Sequence, residues 1–385
     1  MERARILILT ASIGSGHTRA AEAIRAALAA HPQAAAVQVD IVDFMAREVS
    51  SIHYLMKRIY LTMLRFVPDL YDVFFRIAGK SASGGVVRSA FAQVMARTVG
   101  RIIRAYEPDL VVATHPFPEG AAALWRARHG GSFALAAVLT DYALHAIWLV
   151  HGVDTYFVAN EMMADEMAAC GFDRRTVHAT GIPIARTDDS PDRQTAQMRA
   201  GLSGELPTVL LMGGGLGLGG MDRTLAALEM VEHRLAILVV AGRNDVLAAH
   251  ARRMAETSRH AIRVFAYTDK IPVLMRSADL LITKPGGLTI SEAFAAGLPL
   301  LLHDPIPGPE TENAVYATRR GAAVWLHPGE RMASAVEEIL ARRVPEMRAA
   351  ARNCAREDAA QQVSEMLMES LARKRGAVYG TERNV

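Results

Sequence analysis

The chain has 385 residues, 51% of them hydrophobic, enough for two ordinary domains each with its own core and inconsistent with a coil or a disordered tail protein. Lys and Arg total 43 against 40 acidic residues, so the formal charge is only +3 and nothing in the balance points to nucleic acid as a partner. The two cysteines, Cys170 and Cys354, lie far apart without metal-ligand spacing, which argues against a disulfide or zinc framework and makes a reducing, cytoplasmic compartment the default.

The first apolar run, Ile6–Leu9, is too short for a signal peptide and reads as a buried strand. It flows into Thr10-Ala11-Ser12-Ile13-Gly14-Ser15-Gly16-His17 and an alanine-rich helix over Thr18–Ala30. Glycines there let the backbone turn tightly and approach a ligand. His17 would stand at the carboxyl edge of the sheet, where an imidazole can remove a proton from a hydroxyl near neutral pH. A capping or hydrogen-bonded structural histidine is the alternative.

Further strands are expected at Val37–Val42, Leu110–Ala113, Leu135–Leu139 and Thr155–Val158. Between the second and third lies a long insertion, residues 45–106, rich in Arg, Tyr, Phe and Met. Within it Ile52, Leu55, Met56, Ile59, Met63 and Leu64 recur at helical spacing, punctuated by Lys57, Arg58 and Arg65. Such a face suits either an anionic bilayer or the protein's own core. At the next strand ends come Thr114-His115-Pro116, where His115 is a candidate to line an acceptor pocket or a satisfied turn histidine, and Thr140-Asp141-Tyr142, with His145 and Trp148 beyond. Asp141 could orient His17, act as the base itself, or cap a turn.

No apolar stretch reaches the ~18–20 residues of a membrane-spanning helix. The polar passage 187–207 reads as a linker between residues 1–186 and a second domain over 208–342, with 343–385 left as a C-terminal helix and frayed tail. The alternation restarts at Val209–Met212, Ala236–Val240, Ile262–Phe265, Leu280–Thr283, Leu300–Leu302 and Ala323–Trp325. The fold class is therefore α/β, with two Rossmann-like doubly wound domains facing a cleft.

In the second domain Gly213-Gly214-Gly215-Leu216-Gly217-Leu218-Gly219-Gly220 matches a dinucleotide loop. The following strand ends in Ala241-Gly242-Arg243-Asn244 without the acid that an adenosine ribose needs, so a nicotinamide site is disfavoured. Gly214 and Gly215 remain candidates to face phosphate; Arg243 could supply charge to it or be a solvated arginine. The most informative segment is Thr283-Lys284-Pro285-Gly286-Gly287-Leu288-Thr289-Ile290-Ser291-Glu292, a strand joined to a helix through glycines. Exposed N–H groups of Gly286, Gly287, Leu288 and Thr289 can meet a diphosphate, and Glu292 can accept from paired ribose hydroxyls. Glu310, Glu312 and Asn313, after a proline-stiffened turn, are candidates for sugar hydroxyls or plain helix-start residues. No Asp-x-Asp pair is present, so neither a metal nor another cofactor is inferred and leaving-group charge falls to helix ends and basic side chains.

Taken together, Ala11–His17, Gly213–Gly215, Lys284–Glu292 and Pro307-Gly308-Pro309-Glu310 resemble the monogalactosyldiacylglycerol synthase and processive diacylglycerol glucosyltransferase group of glycosyltransferase family 28. The resemblance implies a GT-B architecture, an acceptor domain followed by a UDP-sugar domain, and inverting transfer of glucose or galactose to diacylglycerol. It implies His17 as base; from the residues themselves Asp141 could steady it, and Gly14, Gly16, His115, His145 and Trp148 are the candidates for the acceptor subsite. Uracil would fall to Phe265–Thr268, including Tyr267 and Thr268, ribose to Glu292, the diphosphate to the glycines and Thr289, and the hexose to the motif ending in Glu310, with Asn313 a further candidate from the residues alone. Pro309 stands where the group has a glutamine, leaving the sugar open between UDP-glucose and UDP-galactose. A lipid acceptor further implies a cytoplasmic protein held peripherally on an anionic membrane surface. Another lipid acceptor, such as a polyprenyl-linked intermediate, or a non-catalytic sugar-nucleotide binder are the competing readings.

Overall fold

The computed structural model describes residues 3–12, 14–46, 54–55, 82–186, 191–213, 220–306 and 308–381. Contacts divide the chain into two units, Met1–Arg186 with Glu357–Val385, and Thr187–Arg356. Each is built on a parallel sheet of six strands.

In the first unit the strands are β1 (Ala4–Thr10), β2 (Val37–Asp43), β3 (Leu110–Ala113), β4 (Ala134–Val138), β5 (Thr155–Phe157) and β6 (Val177–His178), ordered β2-β1-β3-β4-β5-β6. Residues of β1 are buried on both sides because helices cover both faces of a parallel sheet. Ile6 and Ile8 pack with Ile24 and Leu28 of the helix Ser15–Ala30 and with Val363 and Leu367 of the last helix, Ala359–Thr381. Leu7 and Leu9 face the opposite way, onto Met95, Val99 and Ile103 of the helix Ala82–Tyr106. Each such aliphatic contributes roughly 1.5–3 kcal/mol on burial, so a charge at Leu9 would break the layer.

This sharpens two expectations. Of the 45–106 insertion, the described helix Ala82–Tyr106 turns its later apolar residues into the core. Ile52, Met56, Lys57, Arg58, Ile59, Met63, Leu64 and Arg65 lie outside the described residues, while Leu55 is exposed. The tail, expected to fray from Arg373, instead continues its helix to Thr381, and Lys374 Nζ donates to Asp109 O at 3.0 Å.

The second unit holds β7 (Thr208–Met212), β8 (Ala236–Gly242), β9 (Ala261–Ala266), β10 (Leu280–Thr283), β11 (Leu300–Leu302) and β12 (Ala323–Trp325), in the order β12-β11-β10-β7-β8-β9. Val209, Leu211, Ile237, Val239, Leu280 and Ile282 form its core with Leu225, Leu228, Ala251 and Val336 from the covering helices. The passage read as a linker carries the helix Arg193–Arg199, whose Arg193 pairs with Asp279 at 2.6 Å. Arg and Asp close enough for that pair bind the passage to this unit.

One device recurs at the amino ends of the strands. Asp109, Asp154 and Asp279 each stand immediately before a strand, and each carboxylate accepts the N–H of a residue on the neighbouring strand: Arg5 at 2.9 Å, Leu135 at 2.8 Å and Thr208 at 2.9 Å. The aspartate N–H donates back to the same residue's carbonyl, at 2.9, 2.8 and 2.7 Å. Two opposed bonds fix the register, since a slip by one residue would turn every buried side chain to the wrong face.

Candidate active site

Both sheets reverse their strand order, between β1 and β3 in the first unit and between β7 and β10 in the second. In open α/β sheets ligands bind beyond the carboxyl ends of the strands at such reversals. His17 follows β1 and Thr114 follows β3; Gly213 follows β7 and Lys284 follows β10. The chemistry-bearing loops of each unit thus flank its own switch point.

In the first unit Gly14 caps the helix Ser15–Ala30 in an extended conformation, and a Cβ added there would meet nothing within 4 Å. The loop is braced from β2: Asp43 accepts from Ser12 N at 3.1 Å and Met45 N at 3.0 Å, and the Ser12 hydroxyl also bonds its carboxylate. Gly16 and His17 lie in the first turn of the helix. His17 Nδ1 is 2.8 Å from Thr114 O and 2.8 Å from Thr140 Oγ1, while Thr114 Oγ1 donates to His17 O at 3.1 Å. Burial lowers the His17 pKa; the nearby Asp141 carboxylate and the Thr114 carbonyl oppose that in part. The imidazole is therefore neutral at pH 7 yet keeps partial exposure, the state a general base requires.

His115 packs edge-on to His17, with ring centroids 4.6 Å apart. Its Nδ1 accepts from Phe117 N at 3.1 Å and caps the helix Pro116–His129, and burial, with His17 beside it, holds its pKa well below the usual imidazole value. His145 caps the turn Ala146–Trp148 in the same way, accepting from Ile147 N at 3.3 Å, and Trp148 is buried. Both histidines expected on the acceptor side thus carry a capping role, which their spacing two residues before the donating N–H foreshadows. One turn past His115, Glu119 is fully buried beside Tyr156, and neither carboxyl oxygen meets a hydrogen-bond partner among the described residues. Burial pushes its pKa well above the usual carboxylate range.

In the second unit Gly286 caps the helix Gly287–Ala295, which has no side-chain cap and no acid in its first turn. The first N–H groups of such a helix have no intrahelical partner and favour an anion. Gly287 and Leu288 are buried, Thr289 and Glu292 half-buried. Lys284 pairs with Glu310 at 3.2 Å, their side chains 12% and 20% exposed, and Glu310 also accepts from Ile306 N at 2.6 Å. Glu310, expected to bond the hexose, is thus already a brace between two loops. Asn313 is fully buried and donates to Pro285 O at 3.1 Å, which fixes the Pro-Gly-Gly turn. Arg243 lies over the exposed Tyr267 ring at 5.0 Å, and Thr268 Oγ1 accepts from Lys270 N at 3.1 Å. His303, buried, pairs with Asp304, a non-glycine residue at φ 43°. Gly214, Gly215 and Pro307 lie outside the described residues.

Among the described residues no cluster of three or more His, Cys, Asp or Glu could hold a metal, and no helix is long and apolar enough to cross a membrane.

Comparison with known proteins adds to this geometry. Residues 17–184 match the family model of monogalactosyldiacylglycerol (MGDG) synthase, and residues 208–368 match the glycosyltransferase family 28 C-terminal domain. The chain is 30% identical over 368 residues to the processive diacylglycerol beta-glucosyltransferase of Bacillus cytotoxicus, covering 95% of this chain and 93% of that one. It is 31% identical over 339 residues to the same enzyme of Bacillus thuringiensis, covering 87% and 85%. Among solved structures, MurG of Acinetobacter baumannii is similar at TM-score 0.61 and 16% identity, over 95% of this chain and 99% of that one. CalG4, the calicheamicin glycosyltransferase, is similar at TM-score 0.65 and 14% identity, over 98% and 100%.

Proposed function

The chain belongs to the diacylglycerol glycosyltransferases of glycosyltransferase family 28, with the two-domain α/β fold of the GT-B class, and from that membership we propose that it moves a hexose from a UDP-sugar to diacylglycerol with inversion. The observation that carries this reading is the near full-length likeness to a diacylglycerol β-glucosyltransferase.

In the proposed reaction His17 takes the proton of the acceptor hydroxyl. The acceptor oxygen bonds the anomeric carbon as the bond from that carbon to the diphosphate oxygen breaks, and UDP leaves with the electron pair. The neutral imidazole supports the first step, and the uncapped helix start after Gly286 supports binding of the diphosphate. Glu292, one turn further on, is assigned the ribose, and the Arg243–Tyr267 pair the neighbourhood of the base. Lys284 is assigned charge for the departing phosphate, with Glu310 and Asn313 holding its loop.

Because diacylglycerol resides in a bilayer, the protein is proposed to act at the membrane surface through the basic insertion 45–106. Flotation with anionic vesicles at low salt should recover it in the lipid fraction; recovery only in the aqueous fraction would reject that docking.

The test of the activity is incubation with UDP-glucose, UDP-galactose and UDP-N-acetylglucosamine in diacylglycerol vesicles, with products identified by mass. A hexosyl-diacylglycerol and free UDP are expected from one of the hexose donors. No glycolipid from any donor would overturn the reading.

A further inference from the structure

We propose that Thr140 is a positioning residue for His17, its hydroxyl oxygen holding the Nδ1 edge of the imidazole so that Nε2 is presented to the proton it must take. The inference rests on His17 being the base. It concerns a different side chain, one strand removed.

Three neighbouring strands meet at this nitrogen. His17 follows β1, Thr114 follows β3 and Thr140 follows β4, and those strands are adjacent in the sheet. Thr114 O lies 2.8 Å from Nδ1 and has no proton to give, so Nδ1 must carry the hydrogen and donate it. The lone pair of a neutral imidazole then sits on Nε2. Thr140 Oγ1, also 2.8 Å from Nδ1, is consequently a second acceptor of the same N–H. Thr140 is almost wholly buried, so water cannot replace its oxygen readily.

The second oxygen matters most after proton uptake. The ring becomes a cation in a place where burial already disfavours charge. Three groups face it: Asp141, whose carboxylate favours the cation, the Thr114 carbonyl, which does the same, and His115, which stands neutral 4.6 Å away. Thr140 Oγ1 adds an acceptor to the strengthened Nδ1–H bond without adding charge. Removing it leaves a ring that is both less fixed and harder to protonate.

The test compares Thr140→Val, which keeps the shape, with Thr140→Ser, which keeps the oxygen, and with His17→Ala, each assayed with UDP-glucose or UDP-galactose and diacylglycerol over the acid and neutral range. Thr140→Val should lower kcat roughly tenfold to a hundredfold while leaving KM for the UDP-sugar unchanged. The acid limb of its kcat/KM profile should move about one unit to lower pH, because the ring protonates less readily. Thr140→Ser should recover most of both. Wild-type kcat and pH profile in Thr140→Val, beside an inactive His17→Ala, would overturn the positioning role and leave the base assignment standing. Wild-type turnover in His17→Ala would instead remove the base assignment itself. Nitrogen NMR of the His17 ring decides independently of turnover: Nδ1 protonated in the wild type, and a lowered ring pKa in Thr140→Val, are expected. Protonation on Nε2 in the neutral wild-type ring overturns the proposal even should Thr140→Val fail to fold.

Discussion

The ligand edges of the two sheets differ in how they treat charge. In the first unit the groups gathered at the β1/β3 reversal are buried or half-buried, and burial disfavours charge on His17, His115 and, one turn on, Glu119, with the Asp141 carboxylate beside His17. In the second, Lys284 paired with Glu310 and Glu292 on an uncapped helix follow β10 at the β7/β10 reversal, and an exposed Arg243 lies against Tyr267 after the neighbouring β8 and β9. A proton can be moved efficiently only by a group whose affinity for it lies near the working pH, which calls for partial desolvation and few fixed charges. A nucleotide is gripped by fixed charges and dipoles instead. The two edges thus suit the two separate tasks that the proposed function gives them.

The contrast can be broken by substitution. The largest effect is expected from His17→Ala: turnover should fall by about 10²–10⁴ while UDP affinity by calorimetry stays at the wild-type value. Loss of UDP affinity in that variant would erase the distinction. Next, Lys284→Met should destabilise the second unit by about 3 kcal/mol, the lower end for a buried pair because both side chains retain some exposure, read from the denaturant midpoint. The double variant with Glu310→Gln should recover part of this; equal loss in both would show that no stray carboxylate charge is involved. Glu292→Ala should weaken UDP binding roughly tenfold to a hundredfold without touching the pH profile, and unchanged calorimetric affinity would remove Glu292 from the ribose.

The smallest and most selective change is Glu119→Gln. Burial raises the Glu119 pKa well above the ordinary 4.5, so its proton is bound more tightly folded than unfolded. The stability it allows is complete below that ordinary value and is lost as pH rises toward the folded pKa. Glu119→Gln should therefore raise the Tm at neutral and mildly alkaline pH and flatten its decline; an unaltered Tm-versus-pH curve would place the ionised carboxylate within reach of solvent.

Much of this was legible in the sequence because buried parallel strands are continuous apolar runs, and runs such as Ile6–Leu9 and Leu280–Thr283 ended where loops with functional groups began. Short strands were harder: β6 is Val177–His178 and carries no periodicity to detect. The return of Ala359–Thr381 to the first unit was hidden because amphipathic spacing says that a face is covered, not by which domain. At the candidate sites, His17 and Glu292 stand out as candidates by residue type and place. Thr114 and Thr140 could not be given a role, since a threonine after a strand bonds whatever comes within reach, and only the sheet order brings these two to one nitrogen. Asp43 and the Lys284–Glu310 pair were invisible for the same reason: they join loops distant along the chain.

The aspartates that precede β3, β5 and β10 have a bearing on how such a protein can diversify. They anchor strands at the amino ends of the sheets, opposite the proposed substrate edges, in both units, by the same pair of opposed backbone contacts. Loops at the far end can then be lengthened, shortened or exchanged as cassettes while the sheets keep their alignment. Grafting a relative's loop downstream of β3 or β10 should alter donor or acceptor preference with little thermal penalty. The same graft made on Asp109→Ala or Asp279→Ala should lose that tolerance.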